Sequence, residues 1–376
     1  MASGLNRRRV PGASSPNGAA SDATSAGHSH SASLAQSGSL PSSISNSNGV
    51  VHAGNALEGG HRVAYDPRDL FDTEEEGGKL PRLTLLEEVL LLGLKDKQGY
   101  LSFLNDNISY ALRGCIILEL ALRRRIAMVK DPNRRRYPLP DRYIEVIDER
   151  QTGETLLDEA LKMIKLNEKM GVGNWVDLMS GETWNVMKIG FQLKQVRERI
   201  AKGLVDKGVL RTEKRNFFLF DMATHPVADG RVKEEINLRI IALLSSRTTA
   251  IPPSALDKVD VGCRVTRAVC LVCAAMAASV LENPLQRLPY EAREACLARC
   301  DDILAEFSVW PFGSSNPGGS KRHINIGGGS SVETNKVEGL HELVREAKKE
   351  MPDPEDLCFE IVASVMEVFS KMDSLL

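Results

Sequence analysis

Residues 107–125 read NISYALRGCIILELALRRR, and this stretch decides the fold. Its apolar residues recur at helical spacing and spread around most of the helix: Ile108, Leu112, Cys115, Ile116, Ile117, Leu118, Leu120 and Leu122. A helix that is apolar on most sides is usually buried on most sides. The stretch therefore predicts a long helix inside the core, from about Asn107 to Arg125.

Helical patterns continue on both sides of this stretch. Upstream, Thr84-Leu-Leu-Glu87 has the spacing of a capping box, and Gly93 stands where that first helix should end. Downstream, helical patterns cover residues 155–169 (which look capped), 181–207, 231–244, 265–281, 291–307 and 340–376. The chain is therefore predicted to be mainly α.

In one segment the spacing of the apolar residues changes from that of a helix to that of a strand. Residues 208–213, a polar turn at Lys214-Arg215-Asn216 and residues 217–222 predict a β-hairpin. Strand alternation would place Phe217 and Leu219 on one face, and Phe218 and Phe220 on the other. One face can pack on the helices, and the other must meet the same chain, a partner subunit or lipid. A simple core strand is the alternative.

Two segments lack the apolar side chains that a packed core needs. Residues 1–78 are rich in Ser, Gly, Asn, Ala and His, and we expect a disordered arm there. Residues 313–334, rich in Gly, Ser and Asn, predict a flexible surface insertion.

The composition argues against several classes of protein. Hydrophobic residues make up 42% of the 376 residues, which allows a sizeable core, and the formal charge of -2 argues against nucleic-acid binding. We find no apolar run long enough to span a membrane and no secretory signal. We therefore expect a cytosolic protein whose seven cysteines are reduced thiols.

Catalytic and metal-binding patterns are weak. Five of the seven histidines fall in the segments expected to be disordered, and the motifs of nucleotide-, serine- and zinc-dependent enzymes are missing. Cys270-x-x-Cys273 with Cys296-x3-Cys300 has the spacing of a zinc site, but both pairs lie in helical patterns, which favours core packing. We predict no catalytic residue, no metal and no cofactor, although carboxylates alone would leave no sequence signal.

Basic residues form the most informative pattern. Arg113 lies in the apolar helix, where a cation needs an anionic partner, either an internal carboxylate or an external phosphate. Lys194 and Arg197 are three residues apart, which places both on one face of a helix. Two arginine runs, at residues 123–125 and 134–136, fit either a solvated helix surface or an anion site.

Longer strings resemble the Golgi phosphoprotein 3 family and its fungal vacuolar protein sorting members. The matching strings begin at Leu83 and end at Leu376: LTLLEEVLLLGL (83–94), GYLSF (99–103), ALRGC (111–115), LMSGETW (178–184), VRERIAK (196–202), KGVLRTE (207–213), NFFLFDMATHP (216–226) and VFSKMDSLL (368–376). The resemblance implies that residues 79–376 form a single helical bundle, ringed by amphipathic helices, with one projecting β-hairpin.

The resemblance also implies a function without chemistry. It implies peripheral attachment to the cytoplasmic face of Golgi membranes through phosphatidylinositol 4-phosphate, beside a cytosolic pool. It implies that the protein retains or recycles glycosyltransferases by linking their cytosolic tails to coatomer vesicles, and that it forms a homo-oligomer. The alternative is a protein-only scaffold whose basic pocket binds acidic peptides.

The resemblance assigns roles to particular residues. Arg113, Lys194 and Arg197 match the family's headgroup-binding cations, and Leu104 stands where the family has a Trp. Leu lacks the indole N–H and its amphipathic anchoring, which weakens membrane affinity or alters lipid preference. The oligomerisation and membrane segment matches Phe217, Phe218 and Leu219, and the coatomer-binding cluster matches Arg7, Arg8 and Arg9.

Overall fold

The computed structural model describes residues 55–56, 62–63, 80–101, 107–182, 186–217, 220–246, 248–314 and 331–372. They include eleven α-helices: α1 (Leu85–Gly93), α2 (Asn107–Leu122), α3 (Thr155–Leu166), α4 (Val172–Ser180), α5 (Val196–Asp206), α6 (Gly230–Ser245), α7 (Arg264–Ala277), α8 (Glu282–Leu285), α9 (Tyr290–Phe307), α10 (Ser331–Lys349) and α11 (Leu357–Met372). The mainly α fold that the sequence predicts is confirmed.

The described strands form two-stranded antiparallel sheets. They are β1 (Asn55–Ala56) with β2 (Arg62–Val63), β3 (Ile126–Met128) with β4 (Ile144–Val146), and β5 (Glu213–Phe217) with β6 (Phe220–Thr224). The first pair lies within the expected N-terminal arm. Most of that arm lies outside the described residues, so its disorder stays a prediction.

The hairpin is present, but its turn was predicted at the wrong place. Phe217 pairs with Phe220, so the chain reverses between them and not at Lys214-Arg215-Asn216. The polar residues form a strand because their backbone pairs fully with β6, while Lys214 and Asn216 stay exposed to solvent. The alternation of faces assumed over residues 217–220 does not apply, since β5 ends at Phe217.

Helix α2 is the buried helix that the sequence predicts. It packs against α1, α4, α7 and α11, and every residue from Ala111 to Leu122 is buried. Gly114 allows α11 to approach closely, because a Cβ there would lie 2.4 Å from Cε1 of Phe369. The helix ends three residues earlier than expected, and Arg124 then takes a left-handed conformation with φ of 54°.

The ends of other helices differ from the sequence patterns for local reasons. The capping box of Thr84 and Glu87 is confirmed, whereas α3 begins without a side-chain cap. The predicted helix over 340–376 is two helices, because Pro352 interrupts it and Asp356 caps α11 by accepting from the N–H of Cys358. Helix α10 begins at Ser331, inside the expected insertion, whose residues 315–330 lie outside the described part of the chain.

A buried carboxylate joins three of the core helices. Glu119 of α2 is fully buried and receives a bidentate pair from Arg267 of α7, with both N–O distances 3.1 Å. It also accepts from Arg123 at 2.9 Å and from the backbone N–H of Leu85 at 3.2 Å. Burial alone raises its pKa, but the two guanidinium groups outweigh burial and lower the pKa to about 2.

The two arginine runs belong to the framework of the fold. Their ion pairs reach mainly the C-terminal segment: Arg123–Glu119, Arg124–Asp356, Arg125–Asp148, Arg134–Glu360 and Arg135–Glu355. Glu360 is fully buried and also pairs with Arg142 at 2.7 Å. Arg124, Arg134 and Arg135 hold β3 and its neighbouring loop against the start of α11. Arg136 is exposed, as the solvated-surface interpretation predicts.

Replacing Glu119 by Gln should lower the free energy of unfolding at pH 7 by about 3–5 kcal/mol, because two guanidinium groups lose their buried counter-charge. Urea denaturation measures the change. The control is Glu342→Gln, which removes an exposed pair with Arg345 and should cost less than about 1 kcal/mol. Equal losses in the two variants would contradict a structural role for the Glu119 pair.

The same pair makes a pH-dependent contribution whose sign follows from its lowered pKa. The contribution is complete above the ordinary value of 4.5 and is lost as the pH falls towards about 2. The stability difference between wild type and Glu119→Gln should therefore shrink between these pH values. A difference that stays constant over that range would show that Glu119 titrates normally.

Candidate functional site

Arg113 lies in the first half of α2, and only 7% of it is exposed. Its guanidinium donates to three backbone carbonyls, those of Ser109 at 2.7 Å, Leu193 at 2.9 Å and Met179 at 3.2 Å. Among the described residues no carboxylate forms an ion pair with it. The cation is therefore held by carbonyl dipoles, which leaves its positive charge without a counter-ion in this part of the chain.

These hydrogen bonds close the base of a loop between α4 and α5. The N–H of Leu193 donates to the carbonyl of Met179 at 3.0 Å, and Arg113 donates to both residues. Gly181 ends α4 with a φ of 87°, and a Cβ there would lie 2.4 Å from Nε2 of Gln192. The loop therefore returns tightly to its starting point, and Arg113 joins its two ends.

Lys194 and Arg197 follow directly on this junction. The helix begins at Val196 and not near residue 181, so the expectation that both cations lie on one helix is wrong. Gln195 separates them in a left-handed conformation, with φ of 53°. Both cations are exposed, and neither forms an ion pair within the described residues. For a residue other than glycine, this left-handed conformation costs about 1–2 kcal/mol. Strained backbone conformations of this kind cluster at functional sites.

Arg113 and Arg197 are close enough to interact electrostatically, and Lys194 directly follows Leu193, whose carbonyl binds Arg113. The pKa of Arg113 is lowered to about 10, mainly by burial and next by the positive charge of Arg197, while Glu198 acts in the opposite direction. Arg197 and the first N–H groups of α5 also lie at the positive end of a helix dipole. The surface formed by Arg113, Lys194 and Arg197, called the cation surface below, is suited to an anion.

The base of the hairpin lies near the same surface. The N–H of His225, just after β6, donates to the carbonyl of Gly99 at 2.9 Å. Burial lowers the pKa of His225, and the charge of Glu198 raises it. Glu198, the residue after Arg197, is therefore close enough to the end of the hairpin to interact with His225.

Several residues predicted for the site cannot be placed. Leu104, Phe218 and Leu219 lie outside the described residues, and so do the three arginines at positions 7 to 9. Of Phe217 only the backbone, in β5, is described. Their roles stay predictions.

A second cluster of perturbed charges is structural. Lys207 donates to Glu87 at 2.7 Å and to Glu154 at 2.8 Å, at the edge of a concave region of about 380 Å³. Burial raises the pKa of Glu87, and Lys207 opposes the change. The cluster ties α1 to the end of α5 and the start of α3, so its perturbed pKa has a structural explanation.

The cysteines pack in the core, as their helical setting predicts. Cys270, Cys273, Cys296 and Cys300 are buried on α7 and α9, and the thiol of Cys300 donates to the carbonyl of Val272 at 3.5 Å. A hydrogen bond with Cys300 and, next, burial raise the pKa of Cys273 well above its ordinary range. Across the described ranges, no group of three or more His, Cys, Asp and Glu residues could hold a metal ion.

Sequence reasoning missed the exposed apolar residues of the loop. Val186–Phe191 forms a 3-10 helix on which Met187 is 88% exposed and Ile189 50% exposed. The available signal was their position on either side of Lys188, next to the predicted cations.

In the part of the chain that the structure describes, none of the helices has both the length and the apolarity needed to cross a bilayer.

Comparisons with known proteins agree with the resemblance. The family model for Golgi phosphoprotein 3 (GPP34) matches residues 85–350. The chain is 53% identical over 316 residues to vacuolar protein sorting-associated protein 74 of Schizosaccharomyces pombe, a match covering 84% of this chain and 89% of the relative. It is 50% identical, over 84% of this chain and 90% of the relative, to the protein of the same name from Eremothecium gossypii.

Replacing Arg113 by Lys should keep the charge but loosen the loop, because one ammonium cannot reach three diverging carbonyls. We expect the free energy of unfolding to fall by about 1–3 kcal/mol and amide exchange to rise in residues 186–195. Hydrogen-exchange mass spectrometry measures the second effect. The exposed Arg136→Lys is the control, and equal exchange in both variants would show that Arg113 does not hold the loop.

Proposed function

The chain belongs to the Golgi phosphoprotein 3 family, and on that premise we propose that it is a peripheral adaptor that binds phosphatidylinositol 4-phosphate in Golgi membranes through Arg113, Lys194 and Arg197. The family consists of Golgi-associated trafficking adaptors and not of enzymes. The proposal that this chain binds one lipid headgroup selectively rests on the cation surface.

The observation that supports the proposal is a group of three neighbouring cations without carboxylate partners among the described residues. Burial of Arg113 weakens its hydration, and an approaching phosphate would restore a counter-charge. Lys194 and Arg197 are exposed, so they can meet a headgroup directly. Charged donors to phosphate form stronger hydrogen bonds than neutral ones, which would give selectivity for the phosphorylated ring.

The three cations have different roles in this proposal. Arg113 is a positioning residue, because its donors already bind the carbonyls that shape the loop. Lys194 and Arg197 supply the direct contacts. Each basic residue near an anionic membrane contributes about 1 kcal/mol, so a single site binds weakly and reversibly. Oligomers that present several sites to one membrane would bind much more tightly.

The adaptor role also needs protein partners. We propose that the chain links the cytosolic tails of glycosyltransferases to coatomer vesicles and so retains or recycles these enzymes in the Golgi. Arg7, Arg8 and Arg9 would recruit the coat. The hairpin residues Phe217, Phe218 and Leu219 would be buried in a partner subunit or in the bilayer surface.

A protein-only scaffold is the second candidate. The observation that favours it is Leu104, where the family has a Trp that anchors membranes, because Leu lacks the indole N–H. In that case the cation surface would bind acidic peptides and would not bind lipid.

Lys194→Glu with Arg197→Glu should abolish flotation with phosphatidylinositol 4-phosphate vesicles. Removing two basic contacts costs about 2 kcal/mol, or roughly thirtyfold in partition, and reversing the charges adds repulsion. Vesicles with the 3-phosphate isomer measure headgroup selectivity. Neither residue has an ion pair within the described part of the chain, so this variant should fold normally, unlike a change at Arg113.

The matched control is Lys162→Glu with Arg136→Glu, which reverses two exposed cations elsewhere on the described surface. It should float like wild type. Equal flotation of wild type with both isomers, or an equal loss of flotation in both double variants, would show that binding is non-specific electrostatic attraction. Wild type that floats with neither lipid but binds an acidic peptide would favour the scaffold.

Phe218→Ser with Leu219→Ser should weaken self-association and, with it, vesicle binding. Sedimentation velocity measures the oligomer, and flotation of the same samples measures binding. A monomeric variant that retains full flotation would contradict the proposal that oligomerisation raises membrane affinity.

A further inference from the structure

We infer that Met187 and Ile189, on the 3-10 segment Val186–Phe191, enter the outer layer of the membrane beside the cation surface. The inference rests on the proposed function and assigns this segment a role of its own. The predicted membrane residues were Leu104 and the hairpin, and this loop is separate from both.

The two side chains are unusually exposed for their size. Met187 is 88% exposed, more than any other large hydrophobic residue in the described ranges, and Ile189 is 50% exposed. Nothing lies within 4 Å of the position that a Cβ on Gly190 would occupy. Single exposed apolar residues are common, but two within three residues of one 3-10 segment form a local apolar surface.

The segment is held in place by its other side. Phe191 packs on the fully buried Trp175, with ring centroids 6.0 Å apart. Two residues later, Leu193 joins the junction that Arg113 closes. A segment fixed before binding loses little conformational entropy when it inserts. The segment that carries Met187 and Ile189 is therefore anchored at the end that continues into Lys194 and Arg197.

Charge favours an anionic lipid surface as the occupant. Lys188 lies between the two apolar residues, and the exposed Lys194 and Arg197 follow on the same stretch of chain. Basic and large apolar side chains together are typical of segments that lie in the membrane interface. A protein partner would need an interface of about 800 Å² per side, and two side chains supply only a small part of that. A lipid surface needs no matching shape.

Met187→Ser with Ile189→Ser should lower partition onto phosphatidylcholine vesicles containing phosphatidylinositol 4-phosphate by about tenfold or more, because two apolar side chains lose their transfer from water. Calorimetric titration with soluble inositol 1,4-bisphosphate should give wild-type affinity. The control is Val259→Ser with Leu238→Ser, whose exposures of 85% and 53% match those of the pair, and it should bind vesicles normally.

A labelled variant tests insertion directly. Met187→Cys carrying an environment-sensitive nitrobenzoxadiazole dye should show a blue shift with these vesicles, whereas the same dye on Val259→Cys should not. Labelling is selective because six native cysteines are buried, and burial raises the pKa of the half-buried Cys263 to about 11.

The outcomes separate the inference from the proposed function. Normal headgroup and vesicle binding by the Met187 and Ile189 double variant, with no dye shift, overturns the insertion and leaves the headgroup site standing. Wild type that binds neither the soluble headgroup nor the vesicles overturns both. Normal headgroup binding with weakened vesicle binding and a dye shift is the expected result.

Discussion

Helix α2 is enclosed by its neighbours, and every residue from Ala111 to Leu122 is buried. A buried helix can carry charged groups only if the surrounding chain satisfies them, since an unpaired buried charge costs several kcal/mol. Glu119 meets this requirement with two arginines and the N–H of Leu85, and so joins α1, α2 and α7. Arg113 meets it with three backbone carbonyls. The arginines around Glu119 neutralise the charge of its carboxylate. The carbonyls around Arg113 carry no net charge, so the positive charge of Arg113 remains.

That difference positions the candidate site. Two of the three carbonyls that bind Arg113 belong to the end of α4 and to the residue before Lys194. These two hydrogen bonds satisfy the buried cation and also close the loop beside it. Lys194 and Arg197 are exposed to solvent, and Met187 and Ile189 are exposed on the same stretch between α4 and α5. Core packing and the proposed membrane surface thus depend on the same residue.

The sequence predicted the features that depend on local pattern. The buried helix, the capping box of α1 and the mainly α fold followed from periodicity and capping residues. The hairpin followed from its change of period, but the position of its turn did not. It could not predict that Arg124 and Arg134 pair with Asp356 and Glu360, more than 200 residues away, because such contacts form only in the folded chain. Nor could it predict the left-handed Gln195, because that conformation is imposed by the closed loop and not by the residue. The cations were recognised, but their separation by a loop and a helix start was not.

We propose that a phosphorylated inositol ring binds at the cation surface, and a crystal structure of the chain with soluble inositol 1,4-bisphosphate would show where it lies. We expect a phosphate within hydrogen-bonding distance of Lys194 and Arg197, with the bonds from Arg113 to Met179 and Leu193 still in place. A phosphate bound elsewhere, with Lys194 and Arg197 both facing solvent, would contradict it.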